Sequence, residues 1–280
     1  MKHRTALTAT AAALALALGL TACGAGSGSG ADSGGADGDT LVVGATAVPA
    51  GEVLTYIKDH LAEDAGLALE IREFTDYVVP NTALQEGSLD ANLYQNKPYL
   101  DDFNQAKGTD LVPVADAYLP PMGVYSKQVG DVTDLPDGAT VAVPNDTTNE
   151  GRALRLLAAE GVITLKDDAA TDASPADITA NPRNLTIKEL EPAQLPRSLD
   201  DVDAAVINNN FAQDAGLSPA KDAILLESAR DNPYANILAV KRGDEDDPRV
   251  AKLVKLLASA EVKRFIEDTY QGSVLPVTTD

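Results

Sequence analysis

Short apolar runs recur along the chain, and the intervals between them suit strands that are separated by helices. Polar or turn-forming residues bound each run, which is typical of a buried strand. The predicted strands are residues 40–46, 67–74, 110–116, 139–145, 184–190, 203–208 and 236–241.

Apolar residues spaced three and four apart predict two amphipathic helices between these strands. Their buried faces consist of Val53, Leu54, Ile57 and Leu61 in one helix and of Val250, Leu253, Val254 and Leu257 in the other. Asp247 suits the N-cap of the second helix, and Pro248 suits its first position. Strands that alternate with helices predict an α/β fold with mostly parallel sheets.

Polar segments follow three of the predicted strands, at residues 74–77, 144–152 and 208–211. A fourth polar segment, "YQNKPYL" at 94–100, concentrates tyrosines and amides in a chain with only 8 Tyr, 4 Phe and no Trp. Asn, Asp and Thr are also ordinary turn and cap residues, which is the alternative for any single segment. Ligands in α/β folds bind beyond the carboxyl ends of strands, so the four segments together predict a polar cleft.

The segment 144–152 has its own chemistry. Thr147 and Glu150 have the spacing of a capping box, which predicts a helix start and places Arg152 in the first turn. A cation there opposes the helix dipole unless an anion docks beside it. We therefore expect Arg152 and the free N–H groups to bind a carboxylate, with a solvated arginine on the helix flank as the alternative.

The N-terminal residues predict export and lipid anchoring. Residues 1–22 have a charged start and an apolar run shorter than an ordinary membrane span, which indicates a signal peptide rather than a retained anchor helix. The sequence "LTAC" that ends at Cys23 resembles the bacterial lipoprotein processing box, which makes Cys23 the lipidated residue. Residues 23–39 then form a Gly/Ser/Asp tether with a typical reach of about 20–25 Å.

Composition narrows the function. Without Lys2 and Arg4 the exported chain has 20 basic and 43 acidic residues, so we expect no binding to nucleic acid. With Cys23 lipidated, no disulfide is possible. His60 is the only histidine outside the signal peptide and belongs to a helical pattern, so we expect it on the surface rather than in a zinc site or a catalytic triad. No cofactor-binding Gly loop is present.

Five long stretches resemble the methionine-binding lipoproteins of ABC importers. They are "VGATAVP", "EFTDYVVPNTALQEGSLDANLYQNKPYL", "PNDTTNEGRALRLL", "PAQLPRSLDDVDAAVINNNFA" and "PYANILAVKRGDEDDP". The resemblance implies a type II periplasmic-binding-protein fold with two α/β lobes around a ligand cleft. By the same resemblance, residues 40–122 with 237–280 form the first lobe and residues 123–236 the second.

The family's function implies the ligand and the partners. A protein of this family captures methionine outside the membrane, without catalysis or cofactor, and delivers it to an ABC transporter permease with its ATPase subunits. The resemblance assigns ligand binding to Tyr77, Tyr94, Asn96, Tyr99, Asn149, Arg152, Asn208 and Asn236. Of these, Arg152 matches the carboxylate-binding residue, Asn208 and Asn236 match residues that hold the ligand backbone, and Asn149 alternatively serves the helix.

The chain departs from the family pattern at two positions. Asn96 and Ala50 stand where histidines are common. These departures leave selectivity open between L-methionine, its D-form, its sulfoxide and a small methionyl peptide. A non-transport surface lipoprotein and a hydrolase with paired carboxylates are the alternatives of other classes.

Overall fold

The computed structural model of the protein describes residues 40–166 and 172–277. In these ranges the chain forms two α/β lobes, each built around one sheet. The signal peptide, Cys23 and the tether, predicted for residues 1–39, lie outside the described residues. Across the part of the chain that is described, every helix is too short or too polar to span a membrane.

The first lobe is built on a six-stranded sheet with the order β13-β4-β12-β3-β1-β2. Its strands are β1 Thr40–Thr46, β2 Ala68–Phe74, β3 Ala91–Asn96, β4 Leu111–Leu119, β12 Asn236–Lys241 and β13 Leu275–Pro276. Strand β1 is parallel to β2 and β3, whereas β12 runs antiparallel to β3 and β4.

The second lobe is built on a five-stranded sheet with the order β11-β5-β10-β6-β9. Its strands are β5 Gly123–Tyr125, β6 Thr140–Pro144, β9 Thr186–Leu190, β10 Ala204–Ile207 and β11 Leu225–Leu226. Strand β6 is parallel to β9 and β10, whereas β5 is antiparallel to β10 and β11. A small antiparallel ribbon pairs β7 Thr164–Leu165 with β8 Ile178–Ala180.

Each of the seven predicted strands has a counterpart, but the expectation of mostly parallel sheets was wrong. Both sheets are mixed because the chain passes twice between them, from β4 to β5 and from β11 to β12. Strands β5 and β12 enter their sheets from the other lobe and pair antiparallel to their neighbours. Two successive strands of one sheet can pair in parallel only if the connection between them returns to the end of the sheet where the first strand began. The connections from β4 to β5 and from β11 to β12 instead lead into the other sheet.

Helices cover the sheets of both lobes. They are α1 Glu52–His60, α2 Val79–Gln85, α3 Lys97–Lys107, α4 Thr147–Ala159, α5 Leu195–Ser198, α6 Asn209–Asp214, α7 Pro219–Asp222, α8 Pro248–Leu257 and α9 Ala260–Tyr270. Helices α1 and α8 confirm the two predicted helices, although α1 ends one residue before Leu61. Asp247 is the N-cap of α8 and accepts a hydrogen bond from the backbone N of Arg249 at 2.7 Å.

Each sheet packs against its helices through its own apolar core. In the first lobe, Leu41 and Val43 of β1 pack with Leu54 and Ile57 of α1. The second lobe has an equivalent core, formed by Val141, Val143, Leu154, Leu157 and Val206. Each such side chain stabilises the fold by about 1.5–3 kcal/mol when it is fully buried. These cores hold the strand ends in place, and the polar segments project from those ends.

Candidate ligand-binding site

A cavity lies between the lobes, where polar segments from both sheets meet. All eight residues predicted for the ligand site line it: Tyr77, Tyr94, Asn96, Tyr99, Asn149, Arg152, Asn208 and Asn236. The structure thus brings together side chains from five separate segments of the chain. Their role in binding a ligand stays a prediction. Sequence reasoning missed five further lining residues, which are Pro49, Gln95, Pro120, Asn209 and Asn210.

Three tyrosines form an aromatic wall of the cavity. The ring of Tyr77 lies 5.9 Å from that of Tyr94 and 5.8 Å from that of Tyr99, measured between centroids. The hydroxyls of Tyr94 and Tyr99 both donate to the backbone oxygen of Tyr77, at 2.7 and 3.1 Å. Burial raises the pKa of all three hydroxyls above their usual value, so each remains a neutral donor at physiological pH.

Asn96 lies beside this wall and has a structural role that the sequence did not reveal. It is the N-cap of α3, where its Oδ1 accepts from the backbone N of Tyr99 at 3.0 Å. The cap explains why an amide follows β3 directly, since Asn is among the preferred N-cap residues. Its Nδ2 group is the part of the side chain left for a ligand.

A buried network of amide side chains from helix α2 and strand β3 lies next to the aromatic wall. Gln95 donates to Asn81 Oδ1 at 2.7 Å and to Asn92 Oδ1 at 2.9 Å, and it accepts from Asn81 Nδ2. All three side chains are at most 3% exposed. Because the amides satisfy one another, a polar strand is tolerated in the middle of the sheet.

The start of α4 differs from the prediction by one residue. Asp146, not Thr147, is the N-cap, and its Oδ1 accepts from the backbone N of Asn149 at 3.0 Å. Asp146 has the extended backbone of an N-cap, with φ −83° and ψ 141°, whereas Thr147 is the first helical residue. The predicted capping box between Thr147 and Glu150 is therefore absent from this helix.

Arg152 accordingly lies in the second turn of α4 rather than the first, five residues after its start. The anion beside it in this structure is the protein's own Glu227. Nε donates to Glu227 Oε1 at 2.9 Å, and Nη2 donates to Oε2 at 2.5 Å. The guanidinium also lies 4.3 Å from the centre of the Tyr234 ring, and Nη2 donates to the backbone oxygen of Pro120. The alternative of a solvated arginine was wrong, because its side chain is 3% exposed.

Glu227 is the main functional candidate that the sequence gave no reason to select. It follows the short strand β11, in a segment without helical or strand periodicity. Burial alone would raise its pKa, but the charge and hydrogen bonds of Arg152 hold the pKa of this carboxyl below its ordinary value. It therefore stays ionised and paired at neutral pH.

Three consecutive asparagines at the start of α6 contribute differently to the site. Asn208 donates through Nδ2 to Asn149 Oδ1 at 2.8 Å, and its own Oδ1 has no hydrogen-bond partner among the described residues. Asn210 accepts from the hydroxyl of Tyr77, and its buried Nδ2 is likewise unpartnered within the described ranges. Asn209 instead donates to the backbone oxygens of Pro121 and Ser273. Within the described ranges, Asn208 therefore presents a free acceptor and Asn210 a free donor.

The remaining predicted residues have simpler surroundings. Asn236 begins β12, lies opposite Asn96 in the strand pairing, and donates to the hydroxyl of Tyr118 at 3.3 Å. His60 is exposed at the end of α1, as expected. Ala50 is buried in the core of the first lobe and does not line the cavity. Among residues 40–166 and 172–277, no group of His, Cys, Asp and Glu side chains is arranged to hold a metal ion.

The chain matches the model of the NlpA lipoprotein family over residues 41–278. It belongs to the NlpA lipoprotein family. The match spans both lobes and includes every strand of both sheets except Thr40, the first residue of β1. The chain is 41% identical over 241 residues to the D-methionine-binding lipoprotein MetQ of Salmonella typhi, which covers 85% of this chain and 89% of the relative. It is 40% identical over 237 residues to outer membrane lipoprotein 3 of Mannheimia haemolytica, covering 85% and 90%.

A solved structure agrees with this family assignment. The structure of a nutrient-binding protein from Burkholderia cenocepacia bound to methionine superposes with a TM-score of 0.83 at 48% identity. The alignment covers 85% of this chain and all of that protein. These likenesses confirm the resemblance found in the sequence and the two-lobed binding-protein fold.

Proposed function

We propose that this NlpA-family protein captures methionine, or a close analogue, outside the membrane and delivers it to an ABC importer. The partner is the importer's permease with its ATPase subunits. Lipid on Cys23 holds the protein on the extracytoplasmic face of the membrane, and residues 23–39 let the domain move above it. Names of relatives as lipoproteins support the anchor. In this proposal the protein binds and releases its ligand without catalysis.

The observation that carries the proposal is the complementarity between the cavity and a free amino acid. Arg152 Nη1 is the guanidinium nitrogen left for a ligand, because Nε and Nη2 already bind Glu227 and Pro120. We assign the ligand's carboxylate to Nη1 and to the unpartnered Nδ2 of Asn210. We assign its ammonium group to the unpartnered Oδ1 of Asn208, which can only accept.

The aromatic wall suits the side chain of methionine. A thioether packs favourably against aromatic rings, at about 0.3–1.5 kcal/mol for each contact. Tyr77, Tyr94 and Tyr99 present three rings, and their hydroxyls are already bonded within the protein. The wall therefore binds a soft apolar side chain without leaving its own polar atoms unsatisfied. The relative from Salmonella typhi is named a D-methionine-binding lipoprotein, and the Burkholderia cenocepacia protein is bound to methionine. Both agree with methionine as the ligand.

Closure of the lobes follows from the position of the cavity. We propose that residues 40–122 with 237–280 move as one lobe and residues 123–236 as the other. The hydroxyl of Tyr77 in the first lobe donates to Asn210 in the second at 2.5 Å, so the two lobes are bonded to each other across the cavity. A ligand held by both lobes favours this closed arrangement.

A second cavity adjoins the first and shares Tyr77 and Tyr99 with it. We propose a small methionyl peptide as the second candidate ligand, since its additional residue would extend towards this second cavity.

Thermal unfolding of the purified protein against a panel of ligands tests the proposal. The protein is first unfolded and refolded so that no ligand remains bound. A specific ligand at 100 times its dissociation constant stabilises the folded state by about 2.7 kcal/mol. We expect L-methionine or a close analogue to raise the unfolding midpoint most, with leucine and glutamate as controls. No shift with any methionine derivative in folded protein would refute the proposal.

Membrane fractionation of a Cys23→Ser variant tests the anchor, which is refuted if the variant stays firmly membrane-bound.

A further inference from the structure

A chain of side-chain hydrogen bonds connects Asp146, at the N-cap of α4, to the cavity. The carboxylate of Asp146 accepts from Asn149 Nδ2, at 2.9 Å to Oδ1 and 3.1 Å to Oδ2. Asn149 Oδ1 then accepts from Asn208 Nδ2 at 2.8 Å. The chain ends at Asn208 Oδ1, a buried oxygen with no hydrogen-bond partner in the described part of the protein. Asn208 is 6% exposed and lines the cavity.

The charge on Asp146 gives this chain its direction. An ionised carboxylate can only accept hydrogen bonds, so it requires the Nδ2 group of Asn149 to face it. The oxygen of Asn149 must then face Asn208, and Asn208 in turn must direct Nδ2 towards Asn149 and Oδ1 into the cavity. If Asn149 were reversed, Asn208 would present a donor to the cavity instead. An ammonium group can bind to the oxygen but not to the donor.

We propose that Asp146 is a positioning residue that acts through Asn149 to fix Asn208 as the acceptor for the ligand's α-ammonium group. The inference rests on the proposed function, in which the ligand is an amino acid. It also gives Asn149 a role beyond the helix, since its amide transmits the polarity set by Asp146. The side chain of Asn149 separates Asp146 from the first cavity, which Asp146 does not line, although it lines the second cavity.

The surroundings of Asp146 make this arrangement sensitive to pH. Burial raises its pKa to about 6, although the hydrogen bonds from Asn149 lower it. The other titratable groups around it are Asp76, Tyr77, Tyr94, Tyr99, Asp102, Glu150 and Glu191. A protonated Asp146 is no longer an obligatory acceptor, so Asn149 is free to reverse. Affinity for an amino acid should therefore be full above pH 6 and fall as the pH decreases through that value.

Calorimetric titration of an Asp146→Asn variant tests the inference. Asn is as good an N-cap as Asp, so α4 keeps its start. Its amide no longer requires the Nδ2 group of Asn149 to face it. We expect the affinity for L-methionine to fall about 10- to 100-fold, because a buried polar group loses its partner. For 2-hydroxy-4-(methylthio)butanoate we expect a change of no more than about threefold, since a hydroxyl can both donate and accept.

Two further measurements separate positioning from structural support. The double variant Asp146→Asn/Asn149→Asp moves the carboxylate one step closer to Asn208, where it again accepts from Nδ2. We expect this variant to recover methionine affinity to within about threefold of the wild type. The affinity for methionine should decrease between pH 7.5 and 5.5 in the wild type but not in Asp146→Asn. Because the two proteins share every other carboxylate, a difference between their pH profiles reports on Asp146 alone.

The outcomes distinguish this inference from the proposed function. A wild-type protein that binds no methionine refutes the proposed function itself. If the wild type binds but Asp146→Asn loses both ligands equally, keeps the same pH profile, or is not rescued, the positioning role is wrong. Circular dichroism checks that each variant is folded. Should Asp146→Asn not fold, Asp146→Ser keeps a capping oxygen but is too short to hold Asn149, and the same comparison of the two ligands then decides.

Discussion

The guanidinium of Arg152 binds the carboxylate of Glu227 through two hydrogen bonds, Nε to Oε1 at 2.9 Å and Nη2 to Oε2 at 2.5 Å. The Arg152 side chain is buried, at 3% exposure, and that of Glu227 is largely buried, at 12%. Glu227 and Pro120, which also accepts from Arg152, belong to the two segments that pass between the sheets. Arg152 lines the cavity and bonds to both of these segments. A ligand bound to its Nη1 would therefore contact the residue that connects the two crossovers.

Replacement of Arg152 by alanine should abolish detectable binding of every amino-acid ligand. The change removes the cation opposite the ligand carboxylate, which costs about 2–5 kcal/mol, or roughly 30- to several-thousand-fold in affinity. It also leaves Glu227 buried without its partner, so we expect a lower unfolding midpoint. Titration calorimetry and thermal unfolding measure the two effects.

The double variant Arg152→Ala/Glu227→Ala is the matched control. Removing both partners eliminates the unpaired buried charge, so stability should recover in part while binding stays lost. Normal methionine binding by Arg152→Ala, or recovery of binding in the double variant, would show that the carboxylate assignment is wrong.

Changes at Asn96 should alter selectivity more than affinity. Its Oδ1 caps α3, and its Nδ2 is left to donate to a ligand. Asn96→Ser keeps a capping oxygen and removes this donor. We expect methionine sulfoxide, whose oxygen accepts hydrogen bonds, to lose about 2- to 10-fold more affinity than methionine. Competition titration of the two ligands measures the ratio, and an unchanged ratio would place the Nδ2 group away from the ligand's side chain.

Removing the hydroxyl of Tyr77 should weaken lobe closure. In the second lobe, Asn210 Oδ1 accepts from this hydroxyl at 2.5 Å. Tyr77→Phe leaves that oxygen without its donor, and we expect a loss of methionine affinity on the order of tenfold. Tyr94→Phe is the control, because the Tyr94 hydroxyl bonds to Tyr77 O within the first lobe. X-ray scattering with methionine should show a larger radius of gyration for Tyr77→Phe only; equal radii for both variants would count against the contact between lobes.

Glu150 should make the fold less stable as the pH rises. It is 7% exposed, and its Oε1 has no hydrogen-bond partner in the described ranges. Burial, together with the nearby Glu189 carboxyl, raises its pKa from 4.5 to about 8. A carboxyl with a raised pKa contributes stability that is complete below its unfolded-state pKa and is lost as the pH rises through the folded-state value.

The variant Glu150→Gln stays neutral at every pH, so its unfolding midpoint should exceed that of the wild type at pH 8. The difference should shrink towards pH 4.5, where the wild-type carboxyl is also protonated. Thermal unfolding at a series of pH values measures it, and Glu189→Gln should show a change of the same sign. A difference that does not vary with pH would mean that the fold does not raise the pKa of Glu150.

Apolar patterning predicted seven strands and missed the short strands β5, β7, β8, β11 and β13. It also missed β3, because that strand carries Asn92, Gln95 and Asn96 in a buried sheet. A period-two pattern reads such amides as a loop. They are buried here because Asn81, on the helix before the strand, bonds to Asn92 and Gln95. That partner becomes visible only after the chain has folded.

The candidate site was predictable where its chemistry is local. Polar segments at strand ends indicated the cleft, and the eight site residues, which the family resemblance assigned, all line it. Glu227 was not predictable, since it lies 75 residues from Arg152 along the chain and has no motif around it. The cap at Asp146 was missed because Thr147 is also a favoured capping residue and, with Glu150, has the spacing of a capping box.

The most direct test of the account is calorimetric titration of L-methionine into purified protein that has been unfolded and refolded without ligand. We expect saturable binding of one methionine for each chain. Methioninol, which lacks the carboxylate, should bind at least about 30-fold more weakly. Folded, ligand-free protein that gives no saturable heat with methionine or its close analogues would contradict it.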